Sequence, residues 1–213
     1  MPKKIKVNKK KVLKQPDEFV SFGSKIFSFI KTYQKQFLII LPIVAIIIVI
    51  VSLSSYYINL NNNNAFVELS KILETEKDIQ KKKAGLLSIK QKKFTEASKY
   101  AAFYLASIYL FENDREKAKK ELDYAIKIKN SYFKGASISM LVDILTSEKK
   151  YDEAIKLIDK NTNLPTPFKE ELLFKKAQIL ETTNKIQEAK AIYKQIEKDY
   201  PDFYLIKLVQ AKK

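Results

Sequence analysis

The sequence predicts an all-α protein: a single transmembrane helix near the N-terminus followed by an α-solenoid of stacked helical hairpins. Three observations carry that prediction. Residues Phe37 to Leu53 form a run of seventeen positions without a charge. Glycine occurs 3 times and proline 6 times in 213 residues, which favours helices over turn-rich β architecture. Beyond residue 99, small residues recur in phase, with Ala118, Ala154 and Ala189 separated by 36 and 35 positions.

In chain order, residues 1–36 come first. They hold Lys3, Lys4, Lys6, Lys9, Lys10, Lys11, Lys14, Lys25, Lys31 and Lys35 against Asp17 and Glu18, a balance of +8, and the first basic residue after the apolar run is Lys71. Lysine near a span is retained on the cytoplasmic side, so the N-terminus is expected in the cytoplasm and the large C-terminal part outside it. A cleaved signal peptide fits less well, because the charged region is too long and Ser52-Leu53-Ser54 is a weak cleavage site. Met1 to Lys14 has few apolar residues; it is expected to be disordered, its lysines drawn to anionic lipids by about 1 kcal/mol each. From Pro16 onward, Phe19, Phe22, Ile26, Phe29, Ile30 and Tyr33 recur at helical spacing. They predict an amphipathic helix in the membrane interface, capped by Asp17. The first 14 positions offer lysine without arginine and no aromatic residue, so no nucleic acid is expected as a partner.

The span is assigned to residues 37–58, about 33 Å of helix at 1.5 Å per residue, enough for a hydrocarbon core. Pro42 falls early in it, where a kink is tolerated in membrane helices. Residues 59–64, Asn-Leu-Asn-Asn-Asn-Asn, read as a polar linker that ends the span. Residues 65–98 then read as leading or capping helices. The first carries Phe66, Leu69, Ile72, Leu73 and Ile79 at a 3.6-residue period, with Asn64 as its N-cap; the second carries Leu86, Leu87, Ile89 and Phe94.

Residues 99–213 divide into three hairpins starting near Lys99, Gly135 and Glu170. Each unit sets large and small residues at matching places. The first supplies Leu105, Ala106, Tyr109, Ala118, Leu122 and Ala125. The second supplies Leu141, Val142, Leu145, Tyr151, Ala154 and Ile158. The third supplies Ala177, Leu180, Ile186, Ala189, Tyr193 and Ile196 and ends with Pro201. This pattern resembles the tetratricopeptide repeat. Its physical reason is that two antiparallel helices cannot cover their own apolar faces: alanines let helices A and B of a unit approach closely, and the larger residues pack on the next unit. The second unit departs from the pattern at Val142, Asn161 and Leu164-Pro165-Thr166-Pro167. Looser packing is therefore expected over 160–168, with the last helix A starting near Thr166 or Pro167.

A partner groove is expected along the helix A residues Tyr100, Phe103, Ser107, Leu110, Asp143, Phe174, Gln178 and Glu181, where Tyr100, Phe103 and Leu110 offer an apolar surface for a peptide. The alternative is that the leading hairpin packs there instead. The charges of the domain, 30 basic and 22 acidic, are interleaved like a solvated helical surface. Without cysteine or histidine, disulfides, thiol chemistry, Cys/His zinc sites and imidazole bases are excluded. The three glycines leave no phosphate-cradling loop. No enzymatic activity, cofactor or metal is expected.

A basic tail with Pro16-Asp17-Glu18-Phe19, an amphipathic helix, one span and a divergent repeat array together resemble the YfgM-like family, ancillary SecYEG translocon subunits of bacterial inner membranes. The match is best over residues 97–197, in YAAFYLASIYL, KKYDEAIKLI and FKEELLFKKAQILETTNKIQEAKAIY. Lys175, Lys176 and Ala177 replace that family's lysine-glycine-aspartate core. The resemblance implies a scaffold in the bacterial inner (cell) membrane, with its N-terminus in the cytoplasm and its C-terminal domain in the periplasm, that associates with Sec translocon subunits and with a periplasmic chaperone or prolyl isomerase. Two other readings stay open: an envelope-assembly or division adaptor unrelated to secretion, and a membrane-tethered regulator acting through its cytoplasmic tail. Whether the chain forms a homo-oligomer is likewise open.

Overall fold

The computed structural model describes residues 18–92 and 95–212. Among these residues the chain forms ten helices and no strand. It divides between Tyr57 and Ile58 into two compact units. The expectations for residues 1–17, including the Asp17 cap, and for Phe94 lie outside the described residues.

The first unit holds α1 (Glu18–Thr32) and the start of α2 (Gln34–Thr75). Phe22, Phe27, Phe29 and Ile30 of α1 are exposed, as is Tyr33 at the turn that follows. The hydroxyls of Ser28 and Thr32 donate back to Lys25 O and Ser28 O, at 2.9 and 2.8 Å. Short polar side chains on an apolar helix satisfy themselves locally in this way. From Leu38 to Ile58 the large aliphatic and aromatic side chains of α2 are exposed. This helix is long and apolar enough to cross a membrane.

The asparagine run does not break the helix. Residues 59–64 are helical, α2 continues to Thr75, and Asn64 therefore does not cap a new helix. Asparagine costs a helix well under 1 kcal/mol per residue, and this stretch has tertiary contacts that outweigh the cost. Ala65 and Leu69 are buried. Asn62 Oδ1 accepts the backbone N–H of Glu96 at 2.7 Å and of Ala97 at 3.4 Å, so an asparagine of the expected linker caps a neighbouring helix.

The second unit continues with α3 (Ile79–Gln91), whose first turn is capped by Asp78. Three helical hairpins follow. The first is α4 (Glu96–Phe111) with α5 (Arg115–Ala125). The second is α6 (Ser131–Ser147) with α7 (Tyr151–Asp159), and the third is α8 (Phe168–Thr182) with α9 (Ile186–Asp199). The short α10 (Ile206–Ala211) packs on α9. Helices α4, α6 and α8 are the A helices, and each touches the next. They start three, four and two residues before the expected unit starts, where Thr95 and Asn130 supply N-cap oxygens for α4 and α6.

The A-to-B turns repeat one geometry. Asn113, Lys149 and Asn184, 36 and 35 residues apart, all have φ near +60°. The next residue of each turn, Asp114, Lys150 or Lys185, donates its N–H to Tyr109 O, Leu145 O or Leu180 O, each at 2.8 Å. This is the Schellman closure of a helix C-terminus, which places one residue in the left-handed region.

Ala97, Ala101, Leu105, Ala106, Ala118 and Leu122 are buried in the core between α3, α4 and α5. Tyr109, Leu141, Val142 and Ala154 belong to the same cluster, and Tyr151 is half-buried against it. Ala177, Ala189 and Tyr193 are fully buried in a second cluster with Phe174, Phe203 and Val209. Pro201 is exposed in the turn before α10. The 160–168 connection is better seated than its composition suggests, because Leu164 and Phe168 are both buried. Gly135 makes the seat for Phe168: a Cβ at that position would lie 2.5 Å from the Phe168 ring.

Candidate partner-binding surface

The residues expected to share one groove fall into separate places. Tyr100 and Phe103 are half-buried in an aromatic cluster of the chain itself. The Tyr100 ring meets Phe66 at 5.3 Å and Phe133 at 4.8 Å, and Phe103 meets Phe133 at 5.3 Å. The leading helix and α6 therefore fill this part of the surface. Edge-to-face pairs of this kind stabilise by about 0.5–1.5 kcal/mol each beyond their burial.

Phe174 is a core residue rather than a groove residue. It is 6% exposed, with its ring 5.9 Å from both Tyr193 and Phe203. Its helix A position places it correctly, but the segment after α9 folds over it. Phe203 lies 35 residues after Phe168, which lies 35 after Phe133, so the repeat period extends into this segment. Glu181 is engaged in the same region, accepting from Tyr193 Oη at 3.1 Å and from Lys212 Nζ at 2.9 Å. Burial and this hydrogen bond raise the Tyr193 pKa far above that of a free tyrosine. Gln178 is exposed.

Ser107, Leu110 and Asp143 line open space, in two grooves on either side of α4. The first, about 420 Å³, is bounded by Leu73, Ile79, Leu86, Tyr104, Ser107 and Phe111. Its walls are mostly apolar, and Phe111 is 83% exposed. The second, about 280 Å³, lies between α4 and α6 and is lined by Leu110, Arg115, Met140, Asp143, Ile144 and Ser147. Exposed apolar grooves rimmed by polar residues mark interaction sites more often than bare surface does.

A polar knot joins α6 to α8 beside the second groove. Lys175 Nζ contacts Asp143 Oδ1 at 2.6 Å and Glu171 Oε1 at 3.4 Å, and donates to Ser139 Oγ at 2.7 Å; the Ser139 hydroxyl also donates to Glu171. Tyr204 is exposed nearby. Its pKa is raised by partial burial and by the negative fields of Glu171 and Asp143. Phe133 and Tyr204 did not stand out in the sequence, and Lys175 stood out only as a departure from the family's pattern, because a lysine in a lysine-rich chain does not announce its ion pairs. The recurrence of Phe133, Phe168 and Phe203 was the signal that could have found the aromatic positions.

Two buried carboxylates lie away from these grooves. Glu121 Oε1 pairs with Lys90 at 2.6 Å, while Glu121 Oε2 and Glu170 Oε2 have no hydrogen-bond partner among the described residues. Among the described residues no group of three or more acidic side chains is placed to hold a metal ion. The arrangement can bind and position a polypeptide through shape, apolar contact and charge. A family model described as a tetratricopeptide repeat-like domain matches residues 28–212. No curated protein matches the chain.

Proposed function

We propose that this chain, a member of that tetratricopeptide repeat-like domain family, is a membrane-anchored scaffold that presents its array to protein partners at the outer face of a bacterial inner membrane. Repeat domains of this kind are interaction modules, which supports protein partners in general. The observation that carries the reading is the pair of open grooves flanking α4, in a chain whose α2 is long and apolar enough to span a bilayer. Aliphatic side chains exposed from Leu38 to Ile58 disfavour water by roughly 25 cal/mol per Å² and favour lipid. The lysine asymmetry around the span supports an N-terminus in the cytoplasm and an array in the periplasm.

The resemblance to ancillary translocon subunits supports a finer reading: the scaffold accompanies the Sec channel and brings a periplasmic chaperone or prolyl isomerase to emerging polypeptides. Anchoring raises the effective concentration of array and channel, so weak groove contacts suffice. The test is affinity purification of the full chain from gently solubilised membranes. Recovery of channel subunits in stoichiometric amounts is expected. Recovery of envelope-assembly proteins without them would replace this reading with an adaptor unrelated to secretion, and recovery of no protein partner would end the scaffold reading.

A further inference from the structure

Among its 40 basic residues the chain uses arginine once, at Arg115. This residue is exposed and is the first of α5, directly after the N-cap Asp114, a position where the helix dipole disfavours a cation. The guanidinium has little to hold within the chain. Its Nη1 donates to Ser147 Oγ at 3.3 Å, and among the described residues no carboxylate lies within 4.0 Å of it. Several acids on the adjoining segments hold lysines: Glu112 pairs with Lys83 at 2.5 Å, and Asp114 with Lys117, Glu148 with Lys150 and Asp143 with Lys175, each at 2.6 Å, while Glu116 follows Arg115 on α5 and Glu148 also feels the field of the guanidinium. Among the described residues this hydrogen bond engages one of the five guanidinium N–H donors.

Arg115 forms part of the wall of the 280 Å³ groove between α4 and α6. Ile144 is buried, Leu110 and Met140 are half-buried, and the three offer an apolar face beside the guanidinium. Methionine adapts to different apolar shapes. Lys175 offsets the Asp143 carboxylate on the far side, which leaves the Arg115 guanidinium as the groove's cation without an ion-pair partner of its own among the described residues.

We propose that this groove is the docking site for a protein segment that carries a large apolar side chain with an aspartate or glutamate one or two residues away. The proposal rests on the scaffold reading and adds the chemistry of the partner. The apolar side chain enters between Leu110, Met140 and Ile144, and the carboxylate meets Arg115 through two parallel N–H donors. That fork matches a carboxylate in a way lysine does not, which gives a physical reason for one arginine among lysines.

The experiment uses the full chain in detergent micelles and synthetic twelve-residue peptides sharing one leucine-phenylalanine core. The neighbouring position is varied among aspartate, glutamate, asparagine, glutamine and lysine. Acidic peptides are expected to bind roughly tenfold to a hundredfold more tightly than their amide counterparts, the range for a hydrogen bond to a charged group. Arg115→Ala should erase that preference and Arg115→Lys should keep only part of it. Because Arg115 is exposed, both variants should melt like the parent chain, which separates lost recognition from lost fold. Equal binding of acidic and amide peptides, a preference for the lysine peptide, or an acidic preference that survives Arg115→Ala would each overturn the proposal. Failure of every peptide to bind also overturns it, and the co-purification decides separately whether the scaffold reading survives.

Discussion

Gly135→Ala should destabilise the array, although a glycine-to-alanine change inside a helix ordinarily stabilises by about 1 kcal/mol. Gly135 is buried within α6, and a Cβ there would stand 2.5 Å from both Cγ and Cδ2 of Phe168 and 3.0 Å from its Cβ. Carbon atoms settle near 3.5–4.0 Å, so the ring base must retreat by about 1 Å. It has little room. Phe168 is 7% exposed, opens α8 and packs edge-on against Tyr132 at 4.9 Å. Overpacking costs about 1–3 kcal/mol, and an approach of 2.5 Å to the ring base belongs in the upper part of that range, about 2–3 kcal/mol, so subtracting the helix gain leaves a net loss of about 1–2 kcal/mol. For a domain of this size the midpoint should fall by roughly 2–8 °C. Thermal melting of the full chain in micelles, followed by tyrosine near-UV dichroism, reads the change. Phe168→Leu in the same background should recover part of the loss, because it removes the ring that the new methyl meets. A Gly135→Ala protein as stable as the parent, or a cost unchanged by Phe168→Leu, would refute the claimed contact between the second and third units.

Lys149 takes φ +60° at the turn between α6 and α7, which costs an L-residue roughly 1–2 kcal/mol, partly offset in glycine by its larger entropy loss. Lys149→Gly should therefore stabilise by about 0.5–1 kcal/mol in urea melts, while Asn113→Gly should gain less because asparagine tolerates this conformation. Asn62→Ala removes the acceptor for Glu96 N–H and Ala97 N–H. It should cost about 1 kcal/mol and speed hydrogen exchange at the first turn of α4 without affecting α8; uniform acceleration would refute the capping role. Tyr193 is more basic when folded than when unfolded, through burial and its bond to Glu181. Its contribution to stability is complete below about pH 10, the unfolded value, and declines as pH rises above it by about 1.4 kcal/mol per unit. Tyr193→Phe should give a shallower alkaline decline of urea stability, and an unchanged slope would count against the assignment.

The array was legible because close helix approach admits few residue types. Alanine at Ala118, Ala154 and Ala189 is fully buried, and a position that accepts only a small side chain prints its period on the sequence. The apolar run of α2 was legible for a similar reason, since no charged side chain interrupts it. The asparagine run was misleading because helix propensity is a weak prior: five asparagines in six positions looked like a break, while the capping of α4 by Asn62 depends on a contact 34 residues away. The groove was only partly legible. Position counting placed Phe174 on an A helix, but nothing local announces that Phe203 returns to cover it. Tyr100 and Phe103 looked free for the same reason, because Phe66 and Phe133 reach them from other helices. Ser107, Leu110 and Asp143 line the two open grooves, as their A-helix positions suggested.

The most direct test of the partner-binding surface is in-cell photocrosslinking from Ser107 and Asp143, one in each open groove, with Phe174 as the buried control. Discrete protein adducts from the first two positions and none from Phe174 are predicted. Adducts confined to lipid or to the chain itself, or equal protein adducts from all three positions, would contradict the surface described here.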